Sequence, residues 1–237
     1  MAESLRRRSV AQAQLIDLLT SQLAARFPAG TSLEVVDLGG GTGGLARVLA
    51  DLGHVVTVVD PSPDALASLE RRTAEADLAD RVRGVQGDAG DLVEILGAAS
   101  ADVVVCHRTL EVVDVPAQAL AAMAELLRPG GALSLLVAQR NAAVLSQALA
   151  GHVGQARKIL ADPAWFDHDQ VLELVGAAGF QAAVSHGIGA VAGIVSESLV
   201  ESDPSTRAEL RALEDDVAQD PAFRAIAPLV HVFAERR

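Results

Sequence analysis

Along the first 140 residues the apolar positions alternate between two periods. Short runs dominated by β-branched residues, Leu33–Leu38, Val55–Asp60, Val82–Gly87, Asp102–His107 and Ala132–Val137, read as strands. Between them, Gly43–Leu52, Pro63–Ala76, Asp91–Ala98 and Pro116–Leu127 are longer and rich in Ala and Leu, and they read as helices. Pro63 and Pro116 stand at helix starts, where a missing N–H costs nothing. Arg128-Pro129-Gly130-Gly131 predicts a helix stop and a turn into the next strand. Strands alternating with helices in this way, joined by right-handed crossovers, predict an α/β fold with a doubly wound, mainly parallel sheet.

The flanks extend this frame. Leu5–Arg26 shows helical periodicity through Val10, Leu15, Leu18, Leu19 and Leu23 and is expected to pack against or over the sheet. Downstream, Asn141–Leu160 reads as an inserted helical segment and His168–Ala178 as a further helix. Phe180–Ser185 reads as a strand, Glu197–Gln219 as acidic helical material and Leu229–Glu235 as a terminal strand. The expectation is a seven-stranded sheet with an N-terminal helix and a small helical cap at about residues 139–165. With no internal repeat, low-complexity tract or separating linker, residues 1–237 are expected to form a single domain.

Composition removes several classes of function. No apolar run approaches the roughly 20 residues of a membrane span, so no membrane partner is expected. Arg6-Arg7-Arg8 is followed by a stretch broken by Gln12, Gln14 and Asp17, with no apolar run of the kind a secretory signal carries. A lone cysteine, Cys106, excludes an internal disulfide, and together these features predict a cytoplasmic protein. The 237 residues carry 19 basic and 31 acidic side chains, a net charge of −12, with −6 on either side of residue 140. That balance argues against broad adhesion to nucleic acid or anionic membrane.

The candidate chemistry begins at Val35–Gly44, where a strand runs through glycines into a helix. Glycines allow a tight turn and close backbone approach, while the helix start offers free N–H groups to a ligand. Two patterns fit: Gly39, Gly41 and Gly44 satisfy the dinucleotide pattern G-x-G-x-x-G, and Gly39, Gly41 and Gly43 satisfy the G-x-G-x-G loop of S-adenosylmethionine enzymes. Three acids bear on the choice. Asp37 precedes the loop, where a carboxylate can meet a cationic amino group or order the loop. Asp60, 23 residues later, ends the second strand, where it can accept from both hydroxyls of a ribose. Asp88 follows the third strand beside Ala89, placed to accept from an adenine amino group.

Taken as a set, Asp37 to Gly43, Asp60-Pro61-Ser62, Gly87-Asp88-Ala89, Asp102 to His107 and Leu127 to Gly131 resemble the successive motifs of class I S-adenosylmethionine-dependent methyltransferases. Cys106 to Pro116 resembles the His-x-x-Leu-Glu-x-Val-x-x-Pro stretch of the bacterial tRNA 5-carboxymethoxyuridine methyltransferases. Ala177-Ala178-Gly179-Phe180 and the tail from Ile226 to Arg236 are similar to the same family. The resemblance implies S-adenosyl-L-methionine as cofactor and Arg7, Gly39 with Gly40, Asp60, Asp88 with Ala89, and His107 as its contacts. Asp37, Gly41 and Pro61 join this set from their places in the motifs. Arg6 and Arg8 compete with Arg7 for its role, a packed strand-end histidine is the alternative for His107, and Cys106 reads as a core residue rather than a nucleophile.

The implied reaction is an in-line, O-directed methyl transfer. A carboxylate acceptor is ionised at neutral pH and needs no general base, which suits a sequence offering no evident base. For an amine or phenol acceptor, His107, Glu111, His152 and His168 are the candidates. The match departs at Lys158–His168, where the tRNA-modifying relatives carry a lysine-rich stretch and this chain has one lysine, Asp162, Asp167 and the pair Trp165-Phe166. The pair reads as a staple of the cap or a stacking surface. The expected acceptor is therefore a small molecule or a modified tRNA uridine, on a monomer or homodimer. Other readings are a nicotinamide (NAD)-dependent oxidoreductase and a non-catalytic cofactor-binding module.

Overall fold

Central strands that are apolar on both faces must be covered on both faces, and that requirement sets the architecture. In the computed structural model, which describes residues 9–195 and 203–237, seven strands form one sheet in the order β3-β2-β1-β4-β5-β7-β6. They are β1 (Glu34–Leu38), β2 (Val55–Asp60), β3 (Val82–Gln86), β4 (Ala101–His107), β5 (Leu127–Ala138), β6 (Phe180–Ile188) and β7 (Leu229–Arg236). β1 pairs in parallel with β2 and β4, β2 with β3, and β4 with β5. Val35, Val56, Val58, Val104 and Cys106 are fully buried at the centre.

The helices are α1 (Val10–Arg26), α2 (Gly44–Asp51), α3 (Pro63–Glu75), α4 (Leu92–Leu96), α5 (Pro116–Leu126), α6 (Arg140–Leu149), α7 (Val153–Ala161), α8 (His168–Ala177), α9 (Pro204–Val217) and α10 (Pro221–Ile226). Their starts are chemically marked. Ser62 accepts from the Ala65 N–H at the head of α3, and Asp203 and Asp220 cap α9 and α10 in the same way. None of the helices among the described residues is long and apolar enough to cross a membrane.

Four sequence expectations need correction. Arg128–Gly131 is not a turn: the strand begins at Leu127, paired with Ala101, and the ladder absorbs Gly130 at φ +75 through a register shift between Ala101 and Val103. The inserted segment is two helices rather than one, broken at Gly151 with φ +80. β6 continues three residues past Ser185, and α10 was not foreseen. The start of the N-terminal helix, including Arg7, and Glu197 at the head of the acidic segment lie outside the described residues.

The chain divides into two compact units. One contains residues 24–136, 172–184 and 232–237, and so holds β1 to β4 with α2 to α5. Within it, Arg26 donates to the Gly130 carbonyl at 2.6 Å and pairs with Glu235, and Arg128 pairs with Asp102 at 2.6 Å. The other runs to Leu23 and takes up 137–171 and 185–231, including α6, α7, α9 and α10. A buried polar lock ties it together. The Glu214 carboxylate on α9, fully buried, accepts from the backbone N–H groups of Ala190, Val191 and Ala192. Gln14 on α1 donates to the Glu214 carbonyl at 3.0 Å and accepts from the Gly189 N–H at 3.3 Å. A buried carboxylate is tolerable there because backbone donors replace its water.

Candidate functional site at the carboxyl edge of the sheet

The carboxyl ends of β1, β2 and β4 bring the glycine loop and its acids together. Gly39, Gly41 and Gly43 all have positive φ, at +72, +56 and +76, which L side chains rarely adopt. Gly39 has a second constraint, because a Cβ there would overlap the Thr109 side chain. A Cβ on Gly40 would overlap Asp37 and touch Val58. The loop is thus drawn tight onto its own supports.

The acids differ in environment. Asp60, 8% exposed, accepts from the Gly41 N–H through Oδ2 and from the Ser62 N–H through Oδ1, each at 2.9 Å. Asp37 lies buried beneath Gly40, and its Oδ2 has no hydrogen-bond partner. Burial, and after it the nearby Asp60 charge, push its carboxyl up to about 7. Asp88 is fixed by the turn that follows β3, accepting from the Gly90 N–H at 2.7 Å while its own N–H donates to Asp91.

A cavity of about 780 Å³ opens at this edge, lined among others by Leu38, Gly39, Pro61, Asp88, Ala89, Val93 and Thr109 and continuing along α5 to Glu125. Four predicted residues, Gly39, Pro61, Asp88 and Ala89, therefore share one cavity wall. Asp60, Gly40, Gly41 and Asp37 sit in the loop and strand ends behind it. His107 stands apart: its Nε2 lies 2.8 Å from the Ser134 hydroxyl on β5, and burial pushes the ring down to about 3, so it stays neutral. Arg108, next to it, adopts φ +63 and pairs with Glu111 at 2.8 Å. Thr109 and Ser134 gave no signal in the sequence, since each matters through a neighbour more than 25 residues away. Burial also raises the Cys106 thiol, with the Glu111 and Asp37 charges adding to it, which suits the core role expected of it.

Further along the chain, Arg140 forms an ion pair with Asp167. His168 bonds Ser185 at 2.9 Å and Asp169 at 3.1 Å. Phe166 is buried, and its residue bridges Gln139, as a staple would.

Residues 36–135 match the family model described as "Methyltransferase domain" (Methyltransf_11). The ubiquinone biosynthesis O-methyltransferase of Xanthomonas axonopodis pv. citri (strain 306) is 35% identical over 126 residues, covering 52% of this chain and 50% of that protein. The tRNA 5-carboxymethoxyuridine methyltransferase of Escherichia coli (strain K12) is 29% identical over 120 residues, covering 51% of this chain and 46% of its own length. The chain spans about half the length of these curated relatives. Among solved structures, the [4+2]-cyclase SpnF shares the fold with a TM-score of 0.63 and 20% identity, covering 98% of this chain and 84% of that one. The match over residues 36–135 agrees with the resemblance of the sequence motifs to class I S-adenosylmethionine-dependent methyltransferases. Of the two glycine patterns, that supports Gly39, Gly41 and Gly43 over the dinucleotide set.

Proposed function

We propose that the chain binds S-adenosyl-L-methionine along this edge and methylates an oxygen of a small molecule. Asp60 carries the reading. Each of its oxygens already accepts one backbone N–H and keeps acceptor capacity, which is the paired acceptor a ribose diol needs. Asp37 supplies an independent sign that the residues fit the cofactor. A buried carboxylate with an unpartnered oxygen beneath the loop favours a cationic ligand over a diphosphate. In this reading Gly39 to Gly41 cradle the cofactor, Asp60 holds the ribose, and Pro61, Asp88 and Ala89 enclose the adenine. Arg7 and His107 complete the set by family resemblance alone.

The bound cofactor supplies a methyl already activated by its sulfonium. The protein's part is then to fix the cofactor against a shaped cavity and align the acceptor, and positioning of that kind is worth roughly 7–11 kcal/mol. His107 is a poor general base here, since burial makes its ring reluctant to take up a proton and its Nε2 is engaged with Ser134. That favours an acceptor that needs no base. Two observations favour a small molecule over tRNA. Neither side of residue 140 is basic, and Arg140, a candidate cation for an anionic acceptor, is taken by Asp167. The tRNA reading rests on the 29% identity to the E. coli enzyme.

Incubation with radiolabelled cofactor, once with tRNA lacking its own methyl groups and once with acidic and phenolic metabolites, separates them. Label is expected in the low-mass fraction. Label confined to tRNA overturns the acceptor and leaves the cofactor reading standing. Calorimetry with S-adenosylhomocysteine and NAD tests the cofactor, and binding of NAD alone would sink it. A chain that binds S-adenosylhomocysteine and labels nothing in an extract is a binding module. The single-domain, monomer-or-homodimer and cytoplasmic readings belong to the same proposal.

A further inference from the structure

The peptide unit between Leu38 and Gly39 is the last one before the glycine loop leaves the sheet, and it is held at both ends. Its N–H donates to the Val59 carbonyl on β2 at 2.7 Å. Its carbonyl accepts from the Thr109 hydroxyl at 3.0 Å, and that hydroxyl also lies 3.4 Å from the His107 carbonyl. A peptide plane gripped from two sides cannot rotate, so it gives the loop a fixed frame, from which the chain turns at Gly39 with φ +72. Thr109 can reach the carbonyl because Gly39 lacks a Cβ, which would occupy the hydroxyl's place. Thr109 is itself delivered by the left-handed turn at Arg108, whose N–H donates to the Leu136 carbonyl at 2.8 Å.

We propose that Thr109 is the positioning residue of the glycine loop, its hydroxyl anchoring the Leu38–Gly39 peptide plane from which the loop turns towards the cofactor. The inference rests on the cofactor reading above for its effect on binding, and stands on the loop geometry alone for its effect on the free protein. Valine has the shape of threonine and lacks the donor, whereas serine keeps the donor and loses a methyl.

Thr109→Val is expected to weaken S-adenosylhomocysteine binding about five- to tenfold by calorimetry, the loss of one neutral hydrogen bond. In the unliganded protein it should also speed hydrogen exchange at the Gly40 and Gly41 amides several-fold. Thr109→Ser should stay within about twofold of the parent in both. A packing role of the threonine methyl would not be rescued by serine. If valine matches the parent in exchange, or serine fails as valine does, the proposal is overturned. Should no form bind S-adenosylhomocysteine, the cofactor reading falls, and amide exchange still decides the role of Thr109.

Discussion

The edge formed by β1, β2 and β3 and the helical region after β5 come from the same chain but are built by different rules. At the edge the proposed function and the fold ask for the same residues: Gly39 serves the turn and the Thr109 contact together, and Asp60 braces the loop while keeping acceptor capacity. After β5 several polar residues are taken up by one another or by backbone groups instead. Glu214 feeds three backbone amides, Arg140 is spent on Asp167, and Gln139 donates to the carbonyls of Arg224 and Ala227. These bonds make a scaffold, whereas Asp37 keeps an orphaned carboxyl oxygen beneath the glycine loop.

The contrast breaks most readily at Gly39. Gly39→Ala adds the cost of a left-handed non-glycine residue, about 1–2 kcal/mol, to an overlap with Thr109. Overpacking of that kind adds a further 1–3 kcal/mol or so. The melting temperature should fall and S-adenosylhomocysteine binding should drop at least a hundredfold. Retained binding would show that the loop tolerates a side chain and is not matched to Thr109.

Glu214→Ala is the scaffold's counterpart. It strands three N–H groups, that of Ala190 buried and those of Val191 and Ala192 half-buried, and a loss of about 2–3 kcal/mol is expected in chemical denaturation. The binding constant of the surviving folded fraction for S-adenosylhomocysteine should stay within about twofold. If binding falls in step with stability, the division of labour between edge and scaffold is wrong.

The same division explains what the sequence disclosed. The places of Asp60, Gly39 and Asp88 at the strand ends were legible because they follow from a strand–loop–helix unit that local pattern reveals. Thr109 and Ser134 were not, because their meaning lies in Leu38 and His107, brought near only by the parallel pairing of β4 with β1 and β5. The Pro129-Gly130 pair read as a stop since those residues punctuate structure locally. Pairing of Leu127 with Ala101 overrides that preference and carries the strand through a bulge. The break at Gly151 was hidden inside helical periodicity that continues on both sides of it. Arg7 lies outside the described residues, so its role rests on resemblance.

Asp37 gives a pH-dependent version of the contrast. Its carboxyl sits near 7 in the folded protein against an ordinary value of 3.8, so the folded form holds a proton that the unfolded form releases between those limits. The stability it contributes is fully present below about pH 4 and is lost as pH rises towards 7. Asp37→Asn removes that loss. The variant should gain little over the parent below about pH 4, with an advantage that grows as pH rises towards 7 by up to roughly 1.4 kcal/mol per pH unit and then levels off, measured without ligand. In the parent, S-adenosylmethionine binding near pH 6.5 should release protons as the positive ligand restores the carboxylate, which calorimetry in buffers of differing ionisation enthalpy detects. A pH-independent advantage of Asp37→Asn would place the cause in packing rather than charge.

The smallest expected effect lies in the scaffold, at Arg140 and Asp167, whose side chains are 19% and 28% exposed. Partial exposure screens the pair, so Arg140→Gln should cost about 1 kcal/mol, mostly by leaving Asp167 without its partner. Asp167→Asn should cost about as much, while the double variant should cost little more than either alone, giving a coupling near 1 kcal/mol. The cycle also bears on the acceptor. If Arg140 is a strut, labelling of the small-molecule fraction survives Arg140→Gln once the variant's folded fraction is allowed for. If it is a receptor for an anionic acceptor, the coupling vanishes and the loss falls on the acceptor's KM instead, which would return a carboxylate on tRNA to first place.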